Sequence, residues 1–225
     1  MTKEPLIFSI GGSVIAPDGP DERFIGRFRT FVRRLARTRR IVLECGGGST
    51  SRRYIAAARK LGVRSTDALH EVGIRATVLN AELMRAVLGA KEPVVTRFSG
   101  VRRSRARLII AAGDRPGHTT DYGAVALARE LGSRTIINVT NVRGVYTADP
   151  KKVRTAKLLT SLSWTQYRRM FPKKSAPGIH APFDPVASAL AQRIGCSVVI
   201  VSSNLPNIGK AVAGKPFIGT VIGPA

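Results

Sequence analysis

Three consecutive glycines, Gly46-Gly47-Gly48, stand between a β-like run, Arg40 to Glu44, and a helix-like run, Tyr54 to Leu61. A strand that hands over to a helix through residues without Cβ atoms lets the backbone approach a bulky anion. The helix then aims unpaired N–H groups and the positive end of its dipole at the same point. Ser49, Thr50 and Ser51 follow with hydroxyls, and Arg52 and Arg53 with guanidinium groups. The unit reads as a phosphate-binding turn; the plain alternative is a tight turn with no ligand.

The same strand–turn–helix order recurs along the chain. Leu6 to Ile10 reads as a buried strand ending at Gly11-Gly12-Ser13. Asp21 to Arg37 reads as an amphipathic helix, with Phe24, Ile25, Phe28, Phe31, Val32 and Leu35 on one face and arginines on the other. Arg40 to Cys45 is the next strand, Asp67 to Leu88 a long helix, and Val94 to Thr96 a candidate short strand. Leu108 to Ala112 is a strand leading into Gly113 to Asp121, and Thr119 to Leu131 a helix striped by Ala124, Leu127, Ala128 and Leu131. Thr135 to Val139 and Ser197 to Val201 read as strands, Pro182 to Ile194 and Asn207 to Ala213 as helices, and Gly219 to Ile222 as a last strand. A loop with Asp149-Pro150 precedes a polar region that runs to about Pro182. Such alternation implies an α/β fold, with a mostly parallel sheet covered on both faces. Right-handed crossovers place the turns after the strands along one edge, where ligands of open α/β sheets sit.

Charge narrows the partners. Thirty-seven basic residues against fourteen acidic ones give a formal charge of +23. That field draws polyanions, and nonspecific attraction to nucleic acid follows from it. The basic residues are spread over Arg33 to Arg40, Arg102 to Arg107, Lys151 to Lys157 and Arg168 to Lys174, which equally describes a solvated cationic surface. No apolar run reaches the length of a membrane span. The N-terminus runs directly into Leu6 to Ile10, so no signal peptide is expected. Cys45 and Cys196 read as reduced core thiols, and a cytoplasmic location is expected. His70 and His180 have no pairing pattern for a metal, and no metal ligands are assigned.

Ser9-Ile10-Gly11-Gly12-Ser13, Gly46 to Ile55, Leu79-Asn80-Ala81, Pro116 to Asp121, Thr140-Asn141-Val142, Gly144 to Pro150 and Asp184-Pro185 occur in order. Together they resemble the archaeal type of UMP kinase within the amino-acid kinase family, from about Leu6 to Ile222. The resemblance implies a single three-layer α/β/α sandwich domain over 1–225, with the acceptor nucleotide in an N-terminal part, about 1–132, and ATP in a C-terminal part, about 133–225. It implies phosphoryl transfer from ATP to UMP, Mg2+ accompanying the ATP, and a homo-oligomer, a hexamer with the first helix at the dimer contact. Ser9, Ile10, Gly11, Gly12, Ser13, Gly48 and Arg52 would meet the ATP phosphates, with Arg52 as the catalytic cation. Thr140, Asn141, Tyr146 and Asp149 would hold the adenine nucleotide. Gly47 would meet the acceptor phosphate, and Asp114, Arg115, Pro116, Gly117, His118, Thr119 and Thr120 would wrap UMP.

Three positions depart from the family pattern. Ser9 stands where many amino-acid kinases have a lysine, which leaves Arg52, Lys151 and Lys152 as cations for the transferred group. His70 stands where the family has an aspartate that contacts UMP, with Asp67 and Glu71 as substitutes if the helix shifts. Arg143 replaces the aspartate of an Asn-Val-Asp-Gly turn, either to tighten phosphate binding or to point outward. Among isolated residues, turn bonding is expected of His118 over a general-acid role, and helix capping of Asp121 over, or together with, an indirect contact to Mg2+; helix capping is expected of Asp184, a surface or packing role of Arg53, and core, interface or exposure alike of Trp164. Two other readings stand. One is another small-molecule kinase of this fold, acting on isopentenyl phosphate, carbamate or an amino-acid carboxylate; Thr50-Ser51-Arg52 lacks the Phe-Gly-His stretch of the first of these. The other is a non-catalytic basic protein that binds nucleotides or nucleic acid.

Overall fold

The computed structural model describes residues 4–171 and 181–224. His180 and the Lys173-Lys174 end of the basic run lie outside the described residues. The chain runs β1 (Leu6–Ile10), α1 (Gly12–Ile15), α2 (Glu22–Leu35), β2 (Ile41–Cys45), α3 (Gly48–Lys60), α4 (Thr66–Leu88), β3 (Leu108–Ala112), α5 (Thr120–Leu131) and β4 (Thr135–Thr140). It continues through β5 (Val145–Tyr146), β6 (Leu158–Leu159), β7 (Ser161–Ser163), α6 (Trp164–Met170), α7 (Pro185–Arg193), β8 (Ser197–Ser202), α8 (Leu205–Val212) and β9 (Thr220–Gly223).

Seven strands form one sheet in the order β3-β2-β1-β4-β8-β9-β7. The first five are parallel; β9 runs antiparallel to β8 and parallel to β7. β5 and β6 form a separate antiparallel hairpin. The parallel strands are apolar on both faces because helices cover both. Phe8, Ile10, Leu43, Ile110, Val139 and Val201 pack with Phe24, Phe28, Met84 and Ile208 of α2, α4 and α8. Ile7, Val42, Ile109, Ile136 and Ile200 pack with Ala124, Leu127, Tyr167 and Ala187 of α5, α6 and α7. The three-layer α/β/α expectation therefore holds.

Capping fixes where the helices begin. Asp21 Oδ1 accepts from Phe24 N at 2.9 Å, and Ser65 Oγ from Ala68 N at 3.2 Å. The arginine-rich α2 buries its whole phenylalanine stripe; Phe28 meets Phe8 edge-on, with centroids 6.0 Å apart. Asp184 accepts from Ala187 N at 2.7 Å with Pro185 in the first turn, so α7 begins at Pro185, three residues after the position the pattern predicts. Val94 to Thr96 makes only a single bridge, Val95 to Ala111. The polar region after Asp149-Pro150 holds β6, β7 and α6. There Ser163 and Gln166 cap each other's backbone, and Trp164 is buried with its Nε1 donating to Cys196 O at 2.8 Å.

Candidate active site

The C-terminal ends of β3, β2, β1 and β4 lie side by side in that order. The turns that follow them are therefore ordered too: Gly113 to Thr119, then Gly46-Gly47, then Gly11, then Asn141 to Gly144. The loops expected to hold the two nucleotides flank the two glycine turns expected to hold phosphates.

The glycine turns are in backbone contact. A Cβ at Gly12 would sit 1.9 Å from Gly48 N, and one at Gly46 would sit 2.4 Å from Gly12 N. Gly48 adopts φ +64, and a Cβ there would meet the carbonyls of Gly12 and Ala16 at 2.4 and 2.5 Å. Gly46 N donates to Ile10 O at 3.0 Å, and Ser49 N to Ala16 O at 2.9 Å. Helices α1 and α3 thus start at one place, and their first N–H groups have no partners within the helices. Ile10 has its side chain buried in the core and its carbonyl taken by Gly46. Gly11, Gly12, Ser13, Gly47 and Gly48 do converge. Ser49 Oγ is buried there with no hydrogen-bond partner among the described residues, a donor that sequence reading noticed but did not place in the site.

Arg52 is exposed on α3, one turn after Gly48. Arg53 instead reaches Asp18 at 2.5 Å on the surface. Helix α4 ties the glycine turn to the next loop. Asn80 Nδ2 donates to Gly46 O at 2.8 Å, and Thr77 Oγ1 accepts from Gly113 N at 3.0 Å. His70 joins this side of the site, since its Nδ1 accepts from Gly117 N at 3.2 Å. Asp114 is bonded by His118 Nδ1 at 2.8 Å and by Arg115 Nε at 3.0 Å. His118 also stacks on Tyr122 at 3.8 Å, so it is a turn-bonding histidine, as expected. Thr119 caps α5 by accepting from Tyr122 N at 3.2 Å.

With Thr119 in the cap, Asp121 is left with a role other than the expected one. Its carboxyl group turns inward and accepts from Ser9 Oγ at 3.1 Å, Asn138 Nδ2 at 2.7 Å and Asp184 N at 3.0 Å. Burial pushes Asp121 up to about 6, while those hydrogen bonds act in the opposite sense. Asp121 therefore joins β1, β4 and the start of α7 beneath the glycine turns. Sequence reading missed this node; its signal was Ser9 and Asn138, polar residues in otherwise apolar strands. Ser9 belongs to the node, with its hydroxyl turned to Asp121.

On the β4 side, Thr140 ends the strand and Asn141 is exposed, with Thr140 Oγ1 donating to Asn141 Oδ1 at 3.4 Å. Tyr146 stands on the β5–β6 hairpin, which Thr220 Oγ1 anchors by accepting from Val145 N at 2.8 Å. Asp149 forms a turn, accepting from Lys151 N at 2.9 Å. Arg143 is exposed, which is the outward of its two readings.

This arrangement can hold a polyphosphate over the joined glycine turns with a second anion beside it. The chain and its fold have known relatives. A family model described as the amino acid kinase family matches residues 4–202. The uridylate kinase of Thermoplasma acidophilum is 33% identical over 223 residues, covering 97% of this chain and 96% of its own length. That of Archaeoglobus fulgidus is 34% identical over 221 residues, covering 96% and 99%. The crystal structure of the Archaeoglobus fulgidus uridylate kinase superposes with a TM-score of 0.86 at 32% identity, over 96% of this chain and 99% of that one. The UMP kinase structure from Bacillus anthracis, 19% identical with a TM-score of 0.80 over 99% and 97% of the two chains, shares the fold.

Proposed function

This chain belongs to the amino acid kinase family, and we propose that it is the member that transfers the terminal phosphoryl group of ATP to UMP, giving UDP and ADP. Near-full-length likeness to uridylate kinases above 30% identity supports this reading. The observation that carries it is the backbone contact between the Gly11-Gly12 and Gly46 to Gly48 turns, set between the two nucleotide loops.

In this reading the donor phosphates lie over Gly11, Gly12, Ser13 and Gly48, with Arg52 beside them. Thr140, Asn141, Tyr146 and Asp149 hold the adenosine end. Gly47 receives the acceptor phosphate, and His70 with Asp114 to Thr120 encloses the rest of UMP. The acceptor is already an anion, so the reaction calls for no strong general base. The difficulty is bringing two polyanions together in line, and the protein contributes placement and positive potential. Fixed N–H groups at the starts of α1 and α3 and the Arg52 guanidinium supply that potential without rearranging.

Among the described residues no three carboxylate, imidazole or thiol groups converge to hold a metal ion. Mg2+ would therefore arrive with ATP, held on phosphate oxygens and water rather than by a protein cluster. When bound, Mg2+ neutralises phosphate charge.

An ADP-release assay with Mg-ATP and a panel of UMP, CMP, dTMP, GMP and isopentenyl phosphate tests the assignment. Turnover is expected with UMP and not with isopentenyl phosphate. Turnover with another acceptor but not UMP overturns the substrate; silence with all of them leaves the non-catalytic polyanion reading. Self-association is part of the proposal. Helix α3 buries only Ser49 within the chain and exposes Tyr54, with Leu61 exposed at its C-terminal cap, while Leu79 is exposed on neighbouring α4. The contact surface inferred here is that pair, since α2 turns its apolar stripe into the core. Light scattering that returns a monomer would remove the oligomer; a hexamer is expected.

A further inference from the structure

Helix α2 carries a polar row along one exposed edge. Arg23, Arg27, Thr30 and Arg34 recur at steps of three and four residues, so they stand one above another on the helix surface. A groove of about 650 Å3 runs between this row and α8. Its floor is the seam of the two helices, with Phe31 from α2 and Leu205, Pro206 and Gly209 from α8. A Cβ on Gly209 would lie 3.6 Å from the Phe31 ring, so the helices meet there. Arg27 and Arg34 stand on one bank, Lys210 and Lys215 on the other. Lys215 N donates to Lys210 O at 2.9 Å, which folds the end of α8 back and sets both lysines on one bank. No acidic side chain lines the groove.

Other arginines of this chain are partnered. Arg53 and Arg85 take Asp18 and Glu82, and Arg40 and Arg107 take backbone carbonyls. Among the described residues Arg27, Arg34, Lys210 and Lys215 make no ion pair. Four like charges around an apolar-floored concavity repel one another and focus a positive field into it. An anion lying between the banks relieves that repulsion. We propose that the groove binds the phosphate backbone of a single-stranded nucleic acid. From Arg23 to Arg34 the row is about 17 Å long, which spans about five phosphates of a stacked strand. That is longer than the phosphate tail of a mononucleotide. Cations on two facing banks suit one strand laid in the groove, whereas a duplex carries its phosphates on a convex surface and would reach one bank only. Phe31 is 8% exposed and offers little face for a base to stack on, so the phosphates dominate and binding is independent of sequence. None of the lining residues belongs to the turns after β1 to β4, so a strand and the two nucleotides have separate places.

The test is fluorescence anisotropy of the full chain with a short fluorescein-labelled oligo(dT), titrated over a range of NaCl concentrations. With four phosphates neutralised, log K should fall against log salt with a slope of about −3. Replacing all four cations together, Arg27→Gln, Arg34→Gln, Lys210→Gln and Lys215→Gln, should weaken binding at low salt at least tenfold and flatten most of that slope. Lys210→Gln with Lys215→Gln alone should remove about half of the slope, and serves if the fourfold variant melts early. The matched control takes the same charge from exposed arginines elsewhere, Arg102, Arg103, Arg105 and Arg129, each to Gln, and should keep most of the affinity and the slope. Equal losses in the two fourfold variants would mean diffuse surface charge and overturn the proposal. Displacement of the oligonucleotide by UMP or by a non-hydrolysable ATP analogue would place it in the nucleotide loops and overturn it too. A duplex of the same length held as tightly, with the same sensitivity to the groove variant, would overturn the single strand as occupant. A groove variant that changes the oligomeric state but keeps its oligonucleotide affinity would make this face a contact between copies of the chain instead.

Discussion

Arg52→Ala is expected to slow phosphoryl transfer by about 10²–10⁴-fold while leaving the fold intact, the range seen when a charge-stabilising donor or cation is taken from a phosphoryl or oxyanion site. The reasoning starts from placement. Arg52 stands on α3 one turn after Gly48, the residue through which the two glycine turns touch. Its guanidinium is exposed and makes no ion pair among the described residues, so it is available to an arriving anion. Ser9, which occupies the usual lysine position, turns its hydroxyl to Asp121 and supplies no positive charge. Arg52 therefore carries more of the neutralisation than it would beside a lysine. Because the side chain is exposed, its loss should change stability by less than about 0.5 kcal/mol. Arg53→Ala is the matched control: it removes an exposed pair with Asp18, worth roughly 0–1 kcal/mol, and should leave the rate near wild type. The measurement is the ADP-release rate with both substrates saturating, together with a melting curve. An Arg52→Ala enzyme at wild-type rate would take Arg52 out of the site.

What the sequence made legible, and what it did not, divides along a physical line. Local patterns sufficed wherever one residue's environment is set by its near neighbours. The Phe24, Phe28 and Phe31 stripe is spaced for one helical face and is buried as that spacing demands. Asp184 before Pro185 has the form of a helix start and caps α7. The triple glycine permits close backbone approach; the partner present is the Gly12 turn, whereas the anion that the pattern points to is not tested by that contact. Long-range partners were not legible. Thr119, Thr120 and Asp121 are all competent caps, and nothing in their order says that Thr119 takes the cap while Asp121 reaches β1 and β4. The antiparallel direction of β9 depends on the route of the chain, not on the residues of the strand. Helix α6 was hidden because it is short and carries Arg168 and Arg169, although Trp164 and Tyr167 bury its inner face. His70 breaks the family pattern, yet it bonds Gly117 N in the loop expected to wrap the acceptor, a contact visible only once α4 and that loop are placed together.

Gly12→Ala should abolish most activity, lowering kcat/KM for both substrates by about 10²-fold or more, because a misplacement of about 1 Å at a reacting centre has that cost. The new methyl carbon would sit 1.9 Å from Gly48 N and 2.6 Å from Gly48 Cα. Those are backbone atoms of the opposing turn, so no rotamer change relieves the contact. The turns must separate, and the donor phosphates and the acceptor then lose their common floor. Stability should fall by roughly 1–3 kcal/mol, as overpacking at a close contact does. Gly26→Ala separates this effect from a general intolerance of glycine replacement. Gly26 lies within α2, and a Cβ there meets nothing within 4 Å. That variant should gain about 0.5–1 kcal/mol from helix propensity and keep its rate. If the joined turns are the site, the two melting temperatures move in opposite directions and ADP release falls in Gly12→Ala alone. Wild-type turnover by Gly12→Ala would mean that the turns part without consequence, and the phosphates would then have to bind elsewhere.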